Sequence, residues 1–222
     1  MVSRRWPPVV LVSASVASTF AARGDGPFAG ETGVTLWIHR NSPGPVDRIG
    51  DVLEPLFTDL AAPAVFAATC LFVGWRWGLR AIAVLGLAGV LTALTRVGDL
   101  VQRPRPTASG SWSSYAYGNG GYPSGHVVFV ALISGTLAIL ARRHASTATA
   151  RWVAGMGATL AMVTSWTRVS HLEHWPLDVV GGLTMAGAAL YGVATFDHRL
   201  DNLMARRRPT GVCDPHGFDQ PG

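Results

Sequence analysis

Apolar residues are concentrated in six runs, and polar segments that carry arginine separate them. The runs cover residues 6–22, 60–75, 79–95, 127–141, 152–165 and 179–196. Several are slightly shorter than the roughly 20 apolar residues with which a helix crosses a bilayer, and the shortfall lies where a run ends in polar residues. The pattern predicts an all-α, polytopic membrane protein with six transmembrane helices in one bundle.

The first run allows two interpretations. Arg4 and Arg5 precede it, and the small residues Ala21 and Ala22 end it, which is typical of a cleaved signal peptide. The same residues are also typical of an uncleaved first span. We favour the span, because six spans give a consistent topology, as shown below.

Composition and charge support a membrane protein. The chain is 49% hydrophobic and 14% charged, against about 25% charged residues in an ordinary soluble domain. A net charge of +5 would suit nucleic acid, but the arginines lie in short clusters that flank the apolar runs, and the chain contains no lysine. We therefore predict no nucleic-acid partner. Cys70 and Cys213 indicate neither a disulfide framework nor a metal cluster.

The length of 222 residues fits one domain. We assign residues 1–208 to a single membrane-embedded domain. Within it, residues 24–54 form a Gly- and Pro-rich extramembrane connector, and residues 107–122 form a loop rich in Gly, Ser and Tyr. Residues 209–222 are predicted to be a disordered tail.

The arginines define two faces of the six-span bundle. One face receives the clusters at residues 4–5, 76–80, 142–151 and 199–208, and by the positive-inside rule that face is cytoplasmic. Both termini are then cytoplasmic. The opposite face receives the polar ends of helices 3–6, which carry Arg96, Arg103, His126, Arg168 and His174. We predict a cell membrane (plasma or inner membrane) protein whose active site lies on this outer face.

These outer residues suit phosphate chemistry. Arginines are planar cations whose several donors match phosphoryl oxygens. Ser124 and Gly125 stand where a helix begins, so their N–H groups would face an anion. His174 and Asp178 are four residues apart, one turn of a helix, so the carboxylate could hold one imidazole nitrogen and leave the other free to attack.

Three spaced motifs carry a resemblance to a known family. They are Arg96 with Arg103-Pro104, then Pro123-Ser124-Gly125-His126, then Thr167-Arg168 with His174 and Asp178. The chain resembles the type 2 phosphatidic acid phosphatase family, the lipid phosphate phosphatases whose site is similar to that of vanadium haloperoxidases. The family pattern has Lys at the position of Arg96 and usually Ser at that of Thr167. These departures keep the charge and the hydroxyl, but Arg differs from Lys in reach and hydrogen-bond geometry.

The resemblance implies a role for each matching residue. His174 would attack phosphorus and form a phosphohistidine, Asp178 would orient it, and His126 would protonate the leaving group and later activate water. The phosphate would be held by Arg96, Arg103, Ser124, Gly125 and Arg168. No cofactor and no metal are implied, since the arginines supply the positive charge.

Two other interpretations compete with this one. His171 and His174, with Asp178 nearby, could ligate a metal, but no His-Glu-x-x-His pattern is present and the arginines would repel a cation. The second alternative is a non-catalytic lipid-binding or transport protein on the same fold. The intact catalytic motif argues against this alternative.

The expected partners are the lipid bilayer and a membrane lipid phosphate. Phosphatidic acid, phosphatidylglycerophosphate, polyprenyl diphosphate and polyprenyl phosphosugar phosphates all present a phosphate at the membrane surface. The sequence does not select among them, and it does not give the oligomeric state.

Overall fold

The computed structural model describes residues 6–24, 26–57, 61–113 and 120–206. Over these ranges the chain forms α1 Trp6–Ala21, α2 Glu31–Asn41, α3 Gly44–Leu53, α4 Ala61–Trp77, α5 Leu79–Leu91, α6 Gly98–Val101, α7 Gly125–His144, α8 Thr147–Ser170 and α9 Pro176–Arg206. Two 3-10 helices, Glu54–Phe57 and Thr92–Val97, extend α3 and α5. Two short strands, β1 Arg105–Pro106 and β2 Trp112–Ser113, pair antiparallel, with Arg105 opposite Ser113. The predicted tail at 209–222, Cys213 and residues 114–119 of the predicted loop lie outside the described residues.

Each predicted apolar run falls on a helix, which confirms the largely α-helical fold. Among the described residues, Leu79–Val101, Gly125–His144 and Pro176–Met204 are long and apolar enough to cross a membrane. A fourth span arises if the helices over 44–57 and 61–77, which meet at an angle of 83°, form one broken span. α1 is apolar but short, and α8 is long enough, with 24 residues, but less apolar. The count of six spans therefore stays a prediction.

The central core lies between α4, α5, α7 and α9. Apolar side chains and alanines from these helices are fully or almost fully buried against one another: Val73, Val84, Leu85, Ala88, Leu132, Leu140, Ala186 and Val193. α8 packs against α7, and α1 packs against α9. Burial of this apolar surface between helices fixes the positions of the helix ends, and several of those ends carry the candidate chemistry.

An ion-pair network holds α5, α7 and α9 together at the end of the bundle away from the candidate site. Asp197 is buried and accepts from Arg80 at 2.8 Å and from Arg143 at 2.9 Å. Asp201 pairs with the same two arginines. The two carboxylates balance the two guanidinium groups, so charged residues can sit here between packed helices.

The connector contains two helices, α2 and α3, which pack across α8. A Cβ atom at Gly50 would lie 2.5 Å from the Thr167 methyl carbon, so only glycine permits this approach of α3 to α8. His39 Nδ1 lies 2.7 Å from the Ser170 carbonyl oxygen, and Trp166 Nε1 donates to Ser42 Oγ at 2.8 Å. The connector therefore covers the end of α8 that bears Arg168.

Candidate active site

A tight turn between α8 and α9 places His174 beside Arg168. The backbone N–H groups of Glu173 and His174 both donate to the Arg168 carbonyl oxygen, at 3.1 and 3.0 Å. Pro176 then begins α9, where its fixed φ suits the first helical turn. The sequence between Arg168 and Asp178 thus folds back on itself and brings three of the predicted residues to one place.

The His174 ring is oriented by a backbone carbonyl. Its Nδ1 lies 2.6 Å from the Gly121 carbonyl oxygen and 3.7 Å from Asp178 Oδ2. A carbonyl oxygen can only accept, so Nδ1 carries a proton, and in the neutral ring the lone pair is then on Nε2. The sequence pattern predicted Asp178 as the orienting group; the structure gives the closer contact to Gly121, because the Asp178 carboxylate is engaged elsewhere.

Asp178 is completely buried and accepts two hydrogen bonds besides its contact with His174. Its Oδ1 accepts from Arg103 Nη1 at 2.7 Å, and its Oδ2 accepts from the Trp175 backbone N–H at 2.8 Å. These bonds fix the carboxylate at the start of α9, where its negative charge also suits the helix dipole.

Arg103 is completely buried and stands between two carboxylates, those of Asp178 and Glu31. The Gly121 N–H donates to the Arg103 carbonyl oxygen at 2.6 Å. The buried Trp175 indole donates to the Pro104 carbonyl oxygen at 2.7 Å. The Arg-Pro motif is therefore tied to both the Gly121 segment and the His174 turn.

The Ser-Gly-His motif forms the start of α7. The Ser124 N–H donates to the Asp178 carbonyl oxygen at 3.1 Å, which anchors this start against α9. Ser124 Oγ and His126 Nε2 are buried and have no hydrogen-bond partner among the described residues, and the same holds for Arg103 Nε. An unsatisfied buried polar group costs about 1–3 kcal/mol, and three such groups in the segments around His174 leave hydrogen-bonding capacity for a ligand. A Cβ atom at Gly125 would meet no neighbouring atom, which leaves space beside the motif.

Arg168 is almost completely buried, and its Nη2 lies 2.9 Å from Glu54 Oε2. Glu54 is more exposed, at 38% of its side chain. His126 lies within electrostatic range of Arg168, Glu54 and His174, so the second motif histidine belongs to the same cluster. The structure thus brings together His174, Asp178, His126, Arg103, Ser124 and Arg168.

Arg96 lies apart from this cluster. Its side chain is 83% exposed and its Nη1 is 3.8 Å from Asp99 Oδ2. It lines a lateral cavity of about 540 Å³ that also reaches Gly125. Arg96 and Gly125 line the same cavity, and the predicted contact of Arg96 with phosphate stays a prediction.

His171 faces a different set of residues from His174. Its Nε2 lies 3.7 Å from carboxylate oxygens of both Asp47 and Asp51, and its Nδ1 lies 3.8 Å from Glu54. Among the described residues, no group of three or more His, Cys, Asp or Glu side chains is arranged to hold a metal ion.

The sequence analysis missed four contributors: Glu31, Glu54, Gly121 and Trp175. Gly121 acts through its backbone carbonyl, for which a single sequence carries no signal. The carboxylates could have been anticipated, because a buried guanidinium requires a counter-charge and the connector holds carboxylates. The missed ion pair between Arg105 and Glu173 lies at the edge of the same cluster.

Comparison with known proteins agrees with this arrangement. The PAP2 superfamily profile matches residues 77–201, which include all three motifs. The chain therefore belongs to the PAP2 superfamily, and the resemblance seen in the motifs is confirmed. No curated protein matches the chain at significant similarity.

A solved structure supports the fold. The first transmembrane PAP2 type phosphatidylglycerolphosphate phosphatase from Bacillus subtilis matches with a TM-score of 0.72. The match covers 88% of this chain and 98% of that chain, at 16% sequence identity. Similarity at this identity establishes that the two chains share the membrane PAP2 fold.

Proposed function

We propose that the protein is an integral-membrane lipid phosphate phosphatase, which hydrolyses a phosphomonoester or a diphosphate of a membrane lipid. One observation carries the proposal: three buried polar groups without partners among the described residues, Arg103 Nε, Ser124 Oγ and His126 Nε2, belong to the segments packed around His174. A phosphate would supply acceptors to the arginine and serine groups and a leaving oxygen to the histidine.

The first chemical step is attack of His174 Nε2 on phosphorus. The Gly121 carbonyl holds the Nδ1 proton, so Nε2 presents its lone pair. The P–N bond forms as the P–O bond to the lipid alcohol or phosphate breaks, and protonated His126 gives its proton to that oxygen. Neutral His126 then takes a proton from water, whose oxygen attacks the phosphohistidine and releases inorganic phosphate.

Positive charge around the phosphate would come from the protein. We assign Arg103, Arg168, Ser124 and Gly125 to the phosphoryl oxygens, with Arg96 reaching in from the lateral cavity. Arg168 exchanges its contact with the more exposed Glu54 for the phosphate. Because phosphoryl transfer depends on positioning and charge neutralisation, this set needs no metal ion in the proposal.

We further propose that six spans place both termini in the cytoplasm and the site on the outer face of the cell membrane. The distribution of arginines along the chain supports this orientation. The substrate then reaches the site from the bilayer, with its phosphate at the membrane surface.

The test is phosphate release by purified protein across a panel of lipid phosphates. The Bacillus protein named above is a phosphatidylglycerolphosphate phosphatase, so that lipid belongs in the panel beside phosphatidic acid and polyprenyl diphosphate. A His174→Ala variant is the control. Release from at least one lipid by the wild type alone supports the proposal, whereas tight lipid binding without release favours the lipid-binding or transport alternative.

A further inference from the structure

Glu31 is a buried carboxylate at the start of α2, in the connector and far in sequence from every motif. Its side chain accepts three hydrogen bonds from three different segments. Oε1 accepts from the Leu177 N–H at 2.8 Å, and Oε2 accepts from the Phe28 N–H at 2.7 Å. Oε2 also accepts from Arg103 Nη2. This carboxylate therefore joins the connector, the first turn of α9 and the Arg-Pro motif.

The contact with Glu31 determines which nitrogen of Arg103 can donate to a substrate phosphate. Asp178 engages Nη1 and Glu31 engages Nη2, while the Phe28 ring lies 5.9 Å from the guanidinium carbon. The buried Nε–H has no partner among the described residues. Two of the three guanidinium nitrogens of Arg103 are therefore bound by carboxylates. The third, Nε, remains as a hydrogen-bond donor to a substrate, and the two ion pairs fix its position.

The same contact sets the charge beside the nucleophile. Two carboxylates around one guanidinium leave the Glu31–Arg103–Asp178 cluster with a net negative charge, and Asp178 Oδ2 is 3.7 Å from His174 Nδ1. When Nε2 attacks phosphorus, positive charge develops on the imidazole ring. A buried negative cluster at this distance stabilises that charge in the transition state more than in the ground state.

We propose that Glu31 is a positioning residue for phosphoryl transfer, acting through Arg103 and Asp178 on His174. The proposal rests on the phosphatase function proposed above. According to this proposal, the connector contributes to catalysis through Glu31 and does more than cover the bundle.

The central variant is Glu31→Gln, which keeps the size of the side chain and removes its charge. The amide oxygen can still accept from Leu177 N, but the amide nitrogen faces the donors of Phe28 and Arg103. We expect kcat to fall by about tenfold or more while KM changes by less than about threefold, because the lost interaction acts mainly in the transition state. Glu31→Asp, which keeps the charge, should retain a higher kcat than Glu31→Gln.

Thr35→Val is the matched control. Thr35 lies one turn further along α2, is completely buried, and its hydroxyl has no partner among the described residues. This variant disturbs the same helix without touching Arg103, so its kcat should equal that of the wild type. An equal loss in Thr35→Val and Glu31→Gln would mean that any disturbance of α2 lowers activity, and would overturn the proposal.

A double-variant comparison tests whether Glu31 acts through Arg103. If it does, Arg103→Gln/Glu31→Gln should have a kcat no lower than that of Arg103→Gln alone. A further loss by the full factor seen for Glu31→Gln would contradict the proposal. If the single Glu31→Gln variant does not yield monodisperse protein, a kcat of the double variant well below that of Arg103→Gln contradicts the proposal by itself. Asp178 loses its arginine partner in both of these variants, so the two differ only at position 31.

The outcomes separate this inference from the proposed function. If wild-type protein releases no phosphate from nitrophenyl phosphate or the lipid panel, the phosphatase assignment itself fails. If the wild type is active and Glu31→Gln has the same kcat, or a raised KM with an unchanged kcat, only the role of Glu31 fails.

Discussion

His174 Nδ1 lies 2.6 Å from the Gly121 carbonyl oxygen, whereas the nearest Asp178 oxygen is 3.7 Å away. The histidine is therefore held by the backbone of the segment that precedes the Ser-Gly-His motif. Asp178 instead binds Arg103 and the Trp175 N–H, and contributes its charge to the ring from a longer distance. Gly121 therefore orients the ring of the proposed nucleophile, His174, and Asp178 supplies negative charge near it.

This division predicts a partial defect in Asp178→Asn. The Gly121 carbonyl should keep the reactive tautomer, so the variant should still form the covalent intermediate, although kcat should fall by about 10- to 100-fold through loss of charge. Steady-state kinetics beside His174→Ala provide the measurement. An Asp178→Asn variant as inactive as His174→Ala would show that Asp178 is needed to hold the tautomer.

The close packing of Gly181 against Tyr122 leads to a second prediction. A Cβ atom at Gly181 would lie 2.4 Å from the Tyr122 ring, whose hydroxyl contacts Ser18 Oγ at 2.9 Å. Gly181→Ala should displace Tyr122, lower the thermal unfolding temperature in detergent by several degrees and reduce activity, at a cost of about 1–3 kcal/mol for overpacking.

Gly192→Ala in the same helix is the control for that experiment. A Cβ atom there meets nothing within 4 Å, so the unfolding temperature should be unchanged or slightly raised, because alanine favours helix. Equal destabilisation by the two substitutions would contradict the packing explanation.

Several features of the site could be predicted from the sequence, and the reasons are physical. The apolar runs predicted where the helices lie, because a helix that is buried or in contact with the bilayer requires apolar side chains. The spacing of His174 and Asp178 predicted that the two side chains lie close together, and they are 3.7 Å apart, although His174 precedes α9 and is not on the helix as expected. The motifs at the ends of the apolar runs predicted that their residues meet at one end of the bundle, and most of them do. Glu31 and Gly121 could not be predicted, because their roles depend on tertiary contacts across 72 residues to Arg103 and 53 residues to His174. The presence of α2 and α3 in the Gly-rich connector depends likewise on packing against α8.

Orientation in the membrane gives the third prediction. The positive-inside distribution places the C-terminus in the cytoplasm and the 107–122 loop outside. Reporter fusions after Arg208 and within that loop should therefore give opposite locations. Matching locations, or a mature N-terminus that begins after Ala22, would contradict the six-span topology.

Dependence on metal gives the fourth prediction. If the arginines neutralise the phosphate, activity should survive EDTA, and vanadate should inhibit as a pentacoordinate analogue of the transition state bound to His174. The measurement is phosphate release with and without each reagent. Loss of activity on chelation, restored by one divalent ion, would instead support a metal site at His171 and His174.

The central claim is that His174 forms the covalent bond and His126 handles the protons. Pre-steady-state hydrolysis of nitrophenyl phosphate tests it most directly, because nitrophenolate leaves readily without protonation, so His126→Ala should affect its release less than that of a lipid alcohol. His126→Ala should release one equivalent of nitrophenolate rapidly and then stall with phosphate on the enzyme, since water is no longer activated. His174→Ala should show no burst. A burst retained by His174→Ala and lost in His126→Ala would contradict the account, because it would reverse the nucleophile and the acid.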